Sequence, residues 1–108
     1  MTASERQAKE RHPWRTRQMK ELFEAMASLR SSAELEHFLR DLCTLSELEA
    51  MAHRWEVAGL VDQGLPYLEI AERTGASTAT VTRVAHWLHH GEGGYRLALD
   101  RAKRTATA

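Results

Sequence analysis

The sequence predicts an all-α fold of five to six helices joined by short connections. Three observations lead there. Apolar residues recur at helical spacing along most of the chain, and strand-like alternation is nearly absent. Hydroxyl residues followed three positions later by Glu stand ahead of apolar runs, the pattern of a helix start. Gly64, Pro66, Gly75 and the "HHGEGG" stretch (residues 89–94) punctuate the runs.

Each element then has its own justification. Pro13 suits the first turn of a helix, on which Met19, Leu22, Phe23, Met26 and Leu29 share a face. Ser31 with Glu34 opens a second helix marked by Leu35, Phe38, Leu39 and Leu42. Thr44 with Glu47, or Ser46 with Glu49, opens a third. This helix carries Leu48, Met51, Ala52, Trp55, Val57, Ala58, Leu60 and Val61, apolar on more than one side, and runs toward Gly64. Such a helix needs more neighbours than a chain of this length supplies, and a second copy could provide them. Pro66 starts a fourth helix with Leu68, Ile70, Ala71 and Thr74. Ser77 caps a fifth, whose inward face is Val81, Val84, Ala85 and Leu88. A final short helix holds Tyr95, Leu97, Ala98, Leu99 and Ala102. The expected organisation is a basic flexible arm (residues 1–12), one helical domain (13–102) and a flexible tail (103–108).

The 108 residues suffice for one domain, and 28% charged with 43% hydrophobic residues indicates a globular protein. No apolar run approaches the roughly 20 residues of a membrane span, and the polar, basic start has no secretory h-region. Cys43, the single cysteine, cannot form an internal disulfide. A cytoplasmic protein is expected. The 15 basic and 15 acidic residues cancel, but unevenly. Residues 1–20 hold six basic and two acidic, residues 21–62 three and nine, residues 63–94 two and three, and residues 95–108 four and one. Basic ends around an acidic middle are either solvated tails or a source of attraction to phosphates.

The stretch "IAERTGASTATVTRVAHWL" (residues 70–88) reads as two short helices hinged at Gly75, where a tight turn needs a residue tolerant of positive φ. The second helix opens with Ser77, Thr78, Ala79, Thr80 and Thr82, mediocre helix formers. This is the pattern of a helix-turn-helix, in which small polar side chains let the backbone approach the floor of a DNA major groove. Threonine brings a hydroxyl for a base edge or phosphate and a methyl for thymine, and alanine also meets that methyl. The bland alternative is a helical hairpin whose threonines face water.

At these residues the chain resembles the tryptophan repressor superfamily, and more closely the TrpR-related YerC/YecD family of small bacterial proteins. "RWEVAGLVDQG" (54–64), "IAERTGASTATVTRV" (70–84) and "GEGGYRLALDR" (91–101) carry the resemblance, which covers roughly residues 35–101. It implies an intertwined all-α homodimer with two reading heads for double-stranded DNA and a palindromic operator; that docking geometry is the family's, carried over here. Ser77, Thr78, Ala79 and Thr80 would then face bases or phosphates, with Thr82 and Arg83 just behind. On the first head helix, where the repressor carries basic and amide side chains, this chain has Tyr67, Leu68 and Glu69. Tyr67 and Arg73 complete the expected DNA-contacting set, and Arg11, Arg15 and Arg17 of the arm could add to it. In the repressor a tryptophan lies between two arginines, matched here by Arg54 and Arg83. Val84 stands where the repressor has glycine, and Trp87 where it has serine near the ligand's amino group. Arg54, Arg83, Val84 and Trp87 are therefore candidate ligand-binding residues for an unidentified small-molecule effector. Tryptophan is not expected, because Val84 would crowd an indole and Trp87 could fill the hollow itself. The alternative for the arginines is that carboxylates such as Glu56 and Glu69 simply hold them.

Other signals carry less. His86, His89 and His90 could place two imidazoles on a metal, but no further ligand stands at a convincing spacing, so no metal site is assigned. They suit a helix C-terminus, where positive charge is favoured. No nucleophile motif surrounds Cys43, and no catalytic residue or enzyme activity is assigned. Trp14, Trp55 and Trp87 read as core or dimer anchors. The sequence therefore leads to a homodimeric, DNA-binding transcriptional regulator, a repressor. The alternatives are a helical protein-interaction module and an effector sensor that does not use tryptophan.

Overall fold

The computed structural model describes Thr2 and residues 13–107, so the arm expected over residues 1–12, Arg11 included, lies almost wholly outside the described residues. Among the described residues there are six α-helices and no strand. They are α1 (Arg17–Ala27), α2 (Ser32–Leu42), α3 (Leu45–Asp62), α4 (Tyr67–Thr74), α5 (Thr78–His90) and α6 (Gly94–Thr107). They fall into two compact units, α1 and α2 in one and α3 to α6 in the other.

In the first unit, α1 begins at Arg17 rather than at Pro13, which sits in a turn. Thr16 takes over the start because its hydroxyl accepts the Met19 N–H at 3.1 Å, a bond proline cannot replace. Ser31 caps α2 by accepting the Glu34 N–H at 3.1 Å. The Glu34 carboxylate reaches one residue beyond the capping residue, to the Arg30 N–H at 2.8 Å, so only half of the expected box forms. Neither helix contains a fully buried residue. Leu22, Met26, Leu35, Phe38 and Leu39 are half-buried, and Phe23 and Leu42 are exposed. Two short helices offer too few neighbours to cover their own apolar faces.

The second unit holds the core. Thr44, not Ser46, opens α3: its Oγ1 accepts the Glu47 N–H at 3.1 Å and its N–H donates to Glu47 Oε1 at 2.8 Å. That backbone hydrogen bond holds the Glu47 carboxyl below its usual range. At the other end Gly64, at φ +84°, closes a Schellman turn with Gly64 N–H on Val61 O (3.0 Å) and Leu65 N–H on Leu60 O (3.3 Å). Helix α3 packs on α4 and α5, α4 on α5, and α5 on α6. The core is Val57, Ala58 and Val61 of α3, Ile70 of α4, Ala76 of the turn, Val81, Val84, Ala85 and Leu88 of α5, and Leu99 of α6. Each large apolar side chain buried there contributes about 1.5–3 kcal/mol. Met51 and Trp55 of α3 remain exposed beside this core.

The last helix passes the boundary placed at residue 102 and continues to Thr107. A charge clamp engages Lys103, the first residue past that boundary. Asp62 closes α3 and holds Arg96 Nη2 at 2.7 Å and Lys103 Nζ at 2.6 Å, two α6 residues seven apart. Arg96 also meets Asp100 at 3.3 Å within α6. The Lys103 and Arg96 hydrogen bonds keep the Asp62 carboxyl below its usual range.

Candidate functional site

The turn between α4 and α5 is built from residues 74–77. Gly75 adopts φ +78°, which a side chain would strain, and its N–H closes α4 on Ala71 O at 2.9 Å. The Thr74 hydroxyl donates to Ile70 O (2.7 Å) and accepts the Ala76 N–H (3.2 Å). Ala76 is buried, so the turn is pinned to the core from below. His53 of α3 reaches Thr74 O with Nε2 at 3.0 Å. A carbonyl can only accept, so the ring proton sits on Nε2.

The turn launches α5 with Val81, Val84, Ala85 and Leu88 inward and Ser77, Thr78, Ala79, Thr82 and Arg83 exposed. The hydroxyls are not equivalent. Ser77 Oγ accepts the Thr80 N–H at 3.1 Å and pairs with Thr80 Oγ1 at 3.0 Å. Thr82 donates its proton to Thr78 O at 2.9 Å. The Thr78 hydroxyl makes no hydrogen bond among the described residues, so it can still donate and accept. Thr80, expected to face outward with the others, is half-buried.

Thr80 turns toward a hollow of about 420 Å³ lined by Ala50, His53 and Arg54 of α3, by Thr80, Arg83, Val84 and Trp87 of α5, and by Tyr95 of α6. All four candidate ligand residues are brought together here. Val84, 3% exposed, forms a wall. Trp87 is 55% exposed and lines the hollow rather than filling it. The carboxylates expected to hold the arginines do not. Glu69 pairs with Arg73 at 3.1 Å, and neither Arg54 nor Arg83 has an ion pair among the described residues. Arg73 is thus partly neutralised at the head, beside an exposed Tyr67 and a Leu68 that is 71% exposed.

Sequence reasoning did not single out Ala50, His53 or Tyr95. Ala50, His53 and Arg54 stand four and one apart on α3, so a helical-face argument anchored on Arg54 could have found Ala50. Tyr95 arrives from a different helix and left no local signal. Among the described residues no group of three or more His, Cys, Asp or Glu could hold a metal ion. The His86 and His90 ring centroids lie 5.2 Å apart at the end of α5. No helix among the described residues is long and apolar enough to cross a membrane.

A short helix, a left-handed glycine and a second helix with an exposed, small-residue N-terminus, all braced by a longer helix, define an all-α protein with a helix-turn-helix head. The comparisons make the class narrower. The Trp repressor protein family model matches residues 17–103. The YerC protein of Bacillus subtilis strain 168 is 42% identical over 93 residues, covering 86% of this chain and 89% of that one. A TrpR-like protein from Eubacterium eligens ATCC 27750 superimposes with a TM-score of 0.76 at 39% identity, covering 82% of this chain and 92% of its own. A Trp repressor candidate from Staphylococcus aureus gives a TM-score of 0.76 at 38% identity, covering 82% and 89%. The chain belongs to the Trp repressor family of regulators, with YerC among its relatives.

Proposed function

We propose that this protein is a homodimeric, sequence-specific DNA-binding regulator of transcription, a repressor that acts in the cytoplasm by occupying its operator. The observation that carries the reading is the division of α5. Its inward residues are buried, while Ser77, Thr78, Ala79, Thr82 and Arg83 are presented together at its leading edge. Small side chains there allow close approach to base edges, and Arg83, with no ion pair among the described residues, is available to a phosphate or a guanine. Dimerisation accounts for the apolar residues left uncovered: Phe23 and Leu42 in the first unit, and Met51 and Trp55 on α3. Two heads related by a twofold axis would read a palindrome.

The test is selection of bound duplexes from a random pool, followed by gel-shift titration at fixed salt. One palindromic sequence should be enriched. Arg83→Ala should weaken specific binding by roughly 5- to 150-fold, the equivalent of about 1–3 kcal/mol. A chain that sediments as a monomer, or a pool with no enriched sequence, sinks the proposal and favours the protein-interaction module.

A second reading, of a small effector, draws support from Arg54 and Arg83 on one hollow without carboxylate partners. Two uncompensated guanidinium groups favour an anionic occupant. In our reading free tryptophan is not that occupant, because Val84 presents a buried valine side chain to the hollow where the family's repressor has glycine. Titration calorimetry giving a micromolar Kd for tryptophan would overturn this.

A further inference from the structure

The hydrogen bonds that cap α5 and close its turn join residues four apart or fewer. The His53–Thr74 bond spans 21 residues and links two helices. Thr74 is the last residue of α4, and carbonyls at a helix end have no partner within their own helix. With its hydroxyl engaged to Ile70 and Ala76 and its carbonyl to His53, Thr74 is held on both of its oxygen atoms. The ring that holds it is half-buried and also forms part of the hollow wall, beside Arg54 and with Thr80 and Arg83 on the same lining.

We propose that His53 is a positioning residue of the reading head. It anchors the end of α4 to α3, sets the course of the chain through Gly75 and Ala76, and so aims the leading residues of α5. This rests on the DNA-reading proposal, and it goes beyond it in naming the residue that holds the turn of the reading head in place.

Two variants of the full chain test it. His53→Leu keeps the bulk and removes the donor. His53→Gln places an amide N–H near the position of Nε2. Amide hydrogen exchange at Gly75 and Ala76, both protected by hydrogen bonds in the turn, is read without DNA. Affinity is read on the duplex that the wild type selects. His53→Leu should speed exchange at these two amides and weaken specific binding about five- to tenfold, the range of one lost hydrogen bond. Non-specific binding should stay near wild type, Tm should fall by no more than the several degrees of one lost hydrogen bond, and His53→Gln should restore most of both readouts. Unchanged exchange and affinity in His53→Leu overturn the proposal. So does accelerated exchange spread evenly over α3 to α6, which marks a residue that only packs. If the wild type selects no duplex, the DNA reading fails, and exchange at the turn still decides the role of His53.

Discussion

Asp62→Asn isolates the clamp that seats α6. The carboxylate is 10% exposed and meets Arg96 and Lys103 at 2.7 and 2.6 Å, while those two side chains are 46% and 59% exposed. Asparagine keeps the shape, removes the charge and sets an amide against at least one cation. Hydrogen bonds to charged groups contribute about 1.5–3 kcal/mol each when shielded from water. Exposed ion pairs contribute only about 0–1 kcal/mol. Here the anion is shielded and the cations are half in water, and Arg96 keeps Asp100, so the combined loss should be about 2 kcal/mol. That corresponds to a Tm drop of roughly 10 °C for a domain of this size. Urea denaturation at one protein concentration measures it, since association shifts apparent stability by mass action.

The pH dependence has a definite sign. The folded carboxyl titrates below its ordinary value of 3.8. Its contribution is therefore complete above about pH 5 and is lost as pH falls through the lowered folded value. Asparagine has no such proton to gain. The stability gap between wild type and Asp62→Asn should be flat from about pH 8 to 5 and shrink by about pH 3. Equal stability at neutral pH refutes the clamp. A gap that stays level or widens between about pH 5 and 3 refutes the electrostatic reasoning behind it.

Two further predictions concern α5 and the glycines at its two ends. Thr78→Val removes the one unengaged hydroxyl of the leading edge and should lower discrimination at one operator base pair by roughly 5- to 150-fold, with a smaller effect from Thr82→Val, in gel shifts on matched and mismatched duplexes. The reverse order would refute the hydroxyl assignment. Gly75→Ala should cost about 1–2 kcal/mol, since an added Cβ meets nothing within 4 Å and only the positive φ is penalised. Gly91→Ala should cost more, because a Cβ there lands on the Trp87 carbonyl and forces the helix end to move; urea midpoints of the two variants give the order.

The helices were legible because their causes are local. A Ser or Thr cap and the backbone N–H it accepts lie within three residues of each other, and Gly64 and Gly75 stop helices through their own φ. The choice between Thr44 and Ser46 was not legible, since both offer the same hydroxyl-to-Glu spacing. Pro13 misled for a related reason: it tolerates a helix start, and Thr16 creates one. Arg54, Arg83, Val84 and Trp87 were placed together by resemblance, and the structure gathers them around one hollow. The expectation that Glu69 holds one of these arginines failed for a local reason: it pairs with Arg73 four residues on, a spacing the sequence already shows.

What the sequence alone determined is the helix inventory, the hinge at Gly75 and the inward face of α5. These follow from periodicity, capping and backbone freedom, which act over a few residues. What only the tertiary structure decided is which polar groups remain available. Thr80 turns inward, His53 reaches across 21 residues to Thr74, and Asp62 gathers two cations of α6. A hydrogen-bond donor's availability depends on what packing brings within about 3 Å of it, and sequence spacing does not encode that distance.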